Sequence, residues 1–298
     1  MKWRVVDCVD AGDSPAAAAA KDKTRASRPR PHKISALLLA MLALSASAAQ
    51  APAPQQPSAP LPAISAIPPM QPPAPGYKFP DNETYVYAVE WRLWNAGNAT
   101  MRMEPMANGE RRIVGAGDSI GAVALLYHVH DHFEAFLDSR TFCSTHISKH
   151  IEEGLRRVES ITRFDYARGK AVLNQTNLKS KDTKQVEHDI PGCVSDVLSA
   201  VYYGGSLPLA AGASYQFPIN DGGDTVNVDL QVEAREEIKT PAGTFRTVRV
   251  QPHAVEGLLK KKGQIWIWYT DDASHMPVQM RARLFWGTLT FRLVRVEK

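Results

Sequence analysis

Three histidines at alternate positions are the side chains whose type and spacing most directly suggest chemistry: His128, His130 and His132. On a strand, positions i, i+2 and i+4 point to the same side, and neutral imidazoles are common ligands for zinc and copper. Three rings in a flat row do not converge on one ion without a bulge, and no fourth ligand is evident. We therefore predict no metal and interpret the row as the polar face of an edge strand. Metal binding by these histidines is the alternative.

A glycine-rich segment, Gly115–Gly121, resembles a dinucleotide-binding loop. Its third glycine comes one residue late and no βαβ unit surrounds it, so we interpret it as an ordinary loop and predict no cofactor. The sequence also lacks the zinc-protease pattern H-E-x-x-H and the phosphate-binding pattern G-x-x-x-x-G-K. We predict a protein that is not an enzyme. The alternative is a catalytic site assembled from distant strands without a motif.

The N-terminal segment indicates the compartment. The apolar run Ile34–Ala48 follows four basic residues within Arg25–Lys33 and ends in the small-residue patterns Ala46–Ala48 and Ala49–Ala51. A secretory signal peptide typically has a basic stretch, a short apolar core and small residues at the cleavage site. We predict a signal peptide with an over-long basic region at residues 1–51, and an exported, periplasmic or otherwise envelope-associated protein with no membrane span after cleavage. An uncleaved anchor is the alternative.

The cysteines predict a disulfide bond. Cys8 would be lost with the signal, whereas Cys143 and Cys193 would reach an oxidising compartment, so we predict a disulfide between them. Two separate buried thiols are the alternative.

The first 51 residues hold eight Lys/Arg and four Asp/Glu, which leaves 27 basic and 27 acidic residues in the remainder. This balance argues against nucleic-acid binding, which requires a surplus of cations.

The elements that must position these residues are mostly strands. Residues 52–76 are rich in proline and form a predicted semi-rigid tether, or alternatively a ligand for a partner domain. From residue 77 to 298 the hydrophobic pattern has a period of two, as in Thr84–Leu93. One helix is predicted at Val194–Tyr203, capped by Ser195 or Asp196 and stopped by Gly204-Gly205, and Ser119–Leu126 is a short helix or a loop.

These patterns predict a single all-β domain at residues 77–298. It is a strongly curved antiparallel sheet or β-barrel-like meander with one or two short helices.

In Gln264–Tyr269, Trp266 and Trp268 share one face while Ile265, Ile267 and Tyr269 share the other. A strand with two apolar faces is covered on both. We predict that a bound ligand would be lined by Trp266, Trp268, Trp286 and Tyr202. The alternative is that these aromatic side chains simply fill the core.

Several spaced segments resemble the bacterial envelope proteins grouped as domain of unknown function 3108 (DUF3108). They are Glu83–Trp91, Val129–Glu134, Asp196–Tyr203, Thr240–Phe245 and Trp266–Asp272. His132 stands where the family commonly has arginine, which weakens the case for a shared histidine site. The resemblance covers residues 77–298 and implies an exported β-rich domain, but no activity and no catalytic residues.

Two functional hypotheses follow. The first is a non-enzymatic envelope protein whose curved sheet holds an apolar or amphipathic small molecule. The second is a structural or assembly factor that binds an envelope protein partner through the proline-rich segment or a sheet edge.

Overall fold

Fifteen strands form one hydrogen-bonded sheet in the computed structural model, which describes residues 69–92, 94–254, 263–284 and 287–298. The strands are β1 Thr84–Trp91, β2 Trp94–Pro105, β3 Glu110–Ser119, β4 Val129–Asp138, β5 Ser144–Glu153, β6 Arg156–Asp165, β7 Lys170–Asn177, β8 Thr183–Asp189, β9 Ser195–Asp196, β10 Ser214–Asn220, β11 Thr225–Thr240, β12 Gly243–Ala254, β13 Gly263–Thr270, β14 Pro277–Leu284 and β15 Gly287–Glu297. Two short helices accompany them, α1 Gly121–Leu126 and α2 Ser199–Ser206. The predicted all-β class with one or two short helices is confirmed.

The strands follow one another as a meander whose two halves meet at β1 and β15. The order across the sheet is β8-β7-β6-β5-β4-β3-β2-β1-β15-β14-β13-β12-β11-β10-β9, and every described pair is antiparallel except β9 with β10. The chain therefore closes its sheet centrally, by pairing Thr84 with Glu297 through Trp91 with Leu289.

The sheet curves until its two flanks touch. The amide of Ser144 on β5 donates to the carbonyl of Val194 just before β9, at 2.9 Å. The side chains of Asn220 on β10 and His188 on β8 are 2.7 Å apart. Two distant parts of one sheet can only meet in this way if it is strongly curved, as the alternating pattern predicts.

Helix α2 lies inside the curve and forms the centre of the core. Tyr202 stacks on Tyr85 of β1 with ring centroids 6.3 Å apart, and the hydroxyl of Tyr269 on β13 donates to the carbonyl of Val201. The N-cap position of the helix is Leu198, and Asp196 binds the helix start from two residues earlier, since its Oδ1 accepts the amides of Leu198 at 2.8 Å and Ser199 at 3.0 Å. Of the two predicted capping residues, Asp196 is therefore the one whose side chain binds the helix start.

The prediction that Gly204-Gly205 stops the helix is wrong, because α2 continues through both glycines to Ser206. A Cβ at Gly204 would lie 2.8 Å from the Tyr269 hydroxyl oxygen, and one at Gly205 would lie 3.1 Å from the Tyr269 ring. The glycines therefore allow close packing of the helix against β13, and do not end it.

Cys143 and Cys193 form a disulfide across a sequence separation of 50. The bridge ties the β4–β5 connection to the segment that leads into β9. The predicted signal peptide at residues 1–51 and most of the tether at 52–76 lie outside the described residues. The last part of the predicted tether is described and contacts α2: the amide of Gln71 donates to the Tyr203 hydroxyl at 2.7 Å, and that of Ala74 donates to the carbonyl of Ser206.

Candidate functional site

The inner face of the curved sheet is fully buried at one end and partly exposed at the other. Around α2, its inward side chains have no exposed surface, including Met103, Ile113, Leu137, Tyr269 and Leu293. We call this the α2 end. At the opposite end lie the connections β1–β2, β3–β4, β5–β6 and β7–β8, and we call it the rim end. Several inward side chains toward the rim end are half-buried, among them Ala99, Phe133, Ile265, Leu284 and Phe291.

A buried polar wall lies on the inner face toward the rim end. Asp131 on β4 is 6% exposed and Glu153 on β5 is 1% exposed. The Asp131 carboxylate accepts the amide of Glu152 at 2.9 Å, and a guanidinium nitrogen of Arg156 is 3.5 Å from Glu153. The Tyr127 hydroxyl is buried with no hydrogen-bond partner among the described residues. This wall therefore offers both charged groups and an uncommitted hydroxyl.

Burial controls the protonation of this wall. It raises the pKa of Asp131 from its ordinary value of 3.8 to about 6, and the nearby cation Arg156 opposes only part of the effect. Burial also lowers the pKa of Lys149, whose ammonium group donates to the carbonyl of Asp221. Below about pH 6 the Asp131 carboxyl group is mostly protonated and can donate a hydrogen bond as well as accept one, whereas above that pH it mainly accepts.

An apolar wall continues from the polar one along the same inner face. It consists of the buried side chains Val89, Ala282 and Leu289, with Ile265 and Leu284 packed against them. The two walls meet at Gly117, which pairs with Ala99 on β2 and with Asp131 on β4. A Cβ at Gly117 would have no atom within 4 Å, so there is open space at this junction. The inner face toward the rim end is thus amphipathic.

The three histidines lie outside this interior, and the prediction that they belong to an edge strand is wrong, because β4 pairs with both β3 and β5. His128 precedes β4, whereas His130 and His132 point outward from it; the three side chains are 46–58% exposed. Each faces a different carboxylate: His130 contacts Asp118 at 2.6 Å and His132 contacts Glu134 at 3.2 Å. In the described ranges, no group of three or more His, Cys, Asp or Glu side chains is arranged to hold a metal ion.

The structure separates the four aromatic residues predicted to line a ligand. Trp266 and Trp268 lie on the outer face of β13 and line a groove of about 340 Å³ with Arg249, Arg281 and other polar residues. Trp268 is 4% exposed, and its indole nitrogen donates to Glu236 at 2.8 Å. Tyr202 is part of α2 in the inner core, while Trp286 lies outside the described residues. The two tryptophans are together, Tyr202 is apart from them, and ligand contact by this set stays a prediction.

Residues Gly117–Gly121 spell G-x-S-x-G, a nucleophile pattern that the reasoning from sequence passed over. Ser119 ends β3, and its hydroxyl oxygen accepts the amide of Val129 at 2.9 Å. His130, on the neighbouring strand, points to the other face and pairs with Asp118. A nucleophilic serine requires a base within hydrogen-bond reach, and the described contacts of Ser119 do not include one.

Sequence reasoning also missed Asp131. It is a carboxylate flanked by the predicted histidines, and it belongs to the inward set Val129, Phe133, Ala135 and Leu137 of β4. An acidic residue at an inward position of an otherwise apolar alternation was the available signal.

A protein family of unknown function matches most of the chain. The profile of the family described as "Protein of unknown function (DUF3108)" matches residues 86–294. A comparison with curated proteins finds no match. Among the described residues, no helix has the length and hydrophobicity needed to cross a membrane.

Solved structures with similar folds are distant in sequence. One is the beta-barrel-like protein of domain of unknown function DUF1849 from Brucella abortus, with 10% identity and a TM-score of 0.50 over 72% of this chain and 96% of that one. Another is a protein with a YmcC-like fold from Bacteroides fragilis, with 10% identity and a TM-score of 0.34 over 74% of this chain and 99% of that one. At such identity, the first likeness shows a shared fold only, and the second is too low to add to it.

Proposed function

The chain belongs to the DUF3108 family of proteins of unknown function, and from this premise we propose that it is an exported, non-enzymatic envelope protein. Its curved sheet binds an apolar or amphipathic small molecule within its accessible interior. The observation that carries this proposal is the amphipathic inner face, in which an open space at Gly117 separates an apolar wall from a buried polar one.

The chemistry of the interior defines the ligand class. Ligand sites are typically concave and mostly apolar, with a few polar groups that fix orientation. Here Val89, Ala282 and Leu289 would contact an apolar portion. Asp131 and the hydroxyl of Tyr127 would bind a polar head group. The contacts of the described residues do not place a nucleophile next to a base, as an enzyme of that kind would require. We therefore assign a binding role.

Two features support export. The segment Ile34–Ala48 has the apolar core of a secretory signal, and the Cys143–Cys193 disulfide is a bond that persists in oxidising compartments such as the periplasm. The proposed location is therefore the bacterial periplasm or another site in the cell envelope.

A blocking substitution tests the binding site. Gly117→Phe places an aromatic side chain in the open space at the junction of the walls, at a position with ordinary backbone φ. With the apolar fluorescent probe N-phenyl-1-naphthylamine, we expect saturable binding to the wild-type protein and at least ten-fold weaker binding to Gly117→Phe. Gly192→Phe is the matched control, since Gly192 also has open space but lies in the β8–β9 connection; it should bind as the wild type does.

Native mass spectrometry of the protein purified from the envelope provides a second readout. We expect a fraction of the wild-type protein to carry an added mass that is absent from Gly117→Phe. A wild-type protein that is consistently empty and shows no saturable probe binding would refute the proposal, as would equal binding by Gly117→Phe and Gly192→Phe.

A further inference from the structure

Among the described residues, the most exposed large apolar side chains are concentrated at the rim end. Leu125 is 90% exposed, Leu126 and Leu155 are each 86% exposed, and Trp94 is 72% exposed. They come from three separate places: the start of β2, helix α1 in the β3–β4 connection, and the β5–β6 connection. The large apolar side chains exposed at the α2 end, Met106 and Val296, reach only 40% and 37%. Contact with water is unfavourable for such groups, so their concentration at one end requires an explanation.

Hydrogen bonds between neighbouring segments hold these connections together. The amide-to-carbonyl bonds are Arg92 to Thr288, Ile120 to Ala96, Gly154 to His128 and Leu178 to Arg157, with lengths of 2.7–3.0 Å. The exposed apolar residues therefore project from one continuous surface, which we call the rim surface, and not from independent loops.

The rim surface is also basic. Its described connections carry the exposed cations Arg92, Lys179 and Lys181, with Asp182 as the exposed acidic residue among them. The β10–β11 connection, which contains Asp221 and Asp224, is not part of this surface. Its Gly222 instead packs against Thr162 of β6 and Leu173 of β7.

We propose that the rim surface docks onto an anionic phospholipid bilayer. Leucine and tryptophan on protruding tips insert into the boundary between headgroups and acyl chains, and tryptophan in particular favours this interface. The neighbouring arginine and lysines bind the anionic headgroups, an attraction that acts within a Debye length of the surface. The combination of separate apolar tips and adjacent cations matches a lipid surface in both hydrophobicity and charge.

Docking in this orientation has a geometric consequence, which rests on the proposed function. The half-buried inward side chains Phe133, Ile265 and Leu284 lie toward the same end of the sheet as the rim surface. A docked protein would therefore turn the accessible end of its interior to the bilayer, and an amphipathic molecule could pass between the two without crossing water.

Vesicle co-sedimentation tests the docking surface. The exported form, with its N-terminus established by mass spectrometry, is mixed with vesicles of phosphatidylcholine alone or of phosphatidylcholine and phosphatidylglycerol at 3:1. We expect binding to the anionic vesicles at low salt, weaker binding at 500 mM NaCl and little binding to phosphatidylcholine alone. The triple variant Leu125→Ser/Leu126→Ser/Leu155→Ser should lose at least ten-fold in vesicle affinity, and Lys179→Gln/Lys181→Gln should lose affinity for anionic vesicles selectively.

Matched controls separate this proposal from the alternatives. Met106→Ser/Val296→Ser changes apolar residues at the α2 end and should bind vesicles as the wild type does. Gly117→Phe should also bind vesicles normally, so that a failure of ligand binding and a failure of docking are distinguishable. The proposal is overturned if the wild type does not bind anionic vesicles, or if the triple variant binds them equally. It is also overturned if sedimentation shows a wild-type dimer that the leucine substitutions dissociate, because the rim surface would then bind a second copy.

Discussion

At the scale of single residues, Asp131 is the side chain that distinguishes the interior. In the sequence it lies between the conspicuous histidines His130 and His132. His130 and His132 point outward and each pairs with its own carboxylate, whereas Asp131 points inward and is nearly inaccessible. Alternation along a strand assigns opposite environments to adjacent residues. The sequence predicted the shared face of the histidines, but composition alone did not indicate that Asp131 faces an apolar interior.

Asp131→Asn should raise the free energy of unfolding at pH 7.5. The Asp131 pKa in the folded protein is about 6, against an ordinary value of 3.8. Between about pH 4 and 6 the folded chain holds a proton that the unfolded chain has lost, so wild-type stability falls as pH rises through this window. The substitution removes a penalty of up to about 3 kcal/mol above pH 6, and the difference should vanish below pH 4.

Urea unfolding at pH 4.0 and 7.5 measures this effect. Asp118→Asn is the control, since Asp118 is an exposed carboxylate paired with His130, and its loss should change stability by less than about 1 kcal/mol. If Asp131→Asn were less stable than the wild type at pH 7.5, the carboxylate would be favourably paired and the assignment of a desolvated acid would be wrong.

At the scale of elements, helix α2 shows where local sequence rules fail. The apolar spacing predicted a helix at Val194–Tyr203, and the structure has one at Ser199–Ser206. Gly204-Gly205 reads locally as a stop signal, yet tertiary packing determines its role, because both glycines lie against Tyr269. No local pattern reveals a contact with a strand more than 60 residues away.

Gly204→Ala should destabilise the protein even though alanine is the better helix former by about 1 kcal/mol. The new methyl group would lie 2.8 Å from the Tyr269 hydroxyl, and overpacking of this kind typically costs about 1–3 kcal/mol. In a Tyr269→Phe background, the cost of Gly204→Ala should shrink, since the obstructing oxygen is gone. Gly192→Ala, which has open space, serves as the neutral control in urea unfolding. Equal costs in both backgrounds would contradict the packing explanation.

The disulfide links two connections that the meander separates. Cys143→Ser/Cys193→Ser opens a loop closed over a separation of 50 residues, and the chain-entropy account gives a loss of about 4 kcal/mol in the free energy of unfolding. Dithiothreitol should produce a similar loss in the wild type and none in the double variant. A wild-type protein that is insensitive to reductant under unfolding conditions would contradict this prediction.

At the scale of the whole molecule, the period of two was sufficient to predict one curved antiparallel sheet, as in the alternation of Tyr85, Tyr87 and Val89. It was not sufficient to predict which end of the sheet is fully buried. That property depends on long-range registers that bring α2 between β1 and β13 and leave Gly117 beside open space. It also depends on the fact that alternate connections lie at the same end, which gathers Trp94, Leu125 and Leu155 from distant positions into one surface.

The central pairing of β1 with β15 imposes an order on how this protein is made. Strand β1 is synthesised with only β2 soon available as a neighbour, because its other partner, β15, is encoded by Gly287–Glu297. Contacts between residues so far apart in sequence form slowly and expose strand edges meanwhile. Until β15 is available, the facing edges of β1 and β14 stay unpaired in the middle of the future sheet. Binding by chaperones or rapid pairing of β15 would protect these edges during that interval.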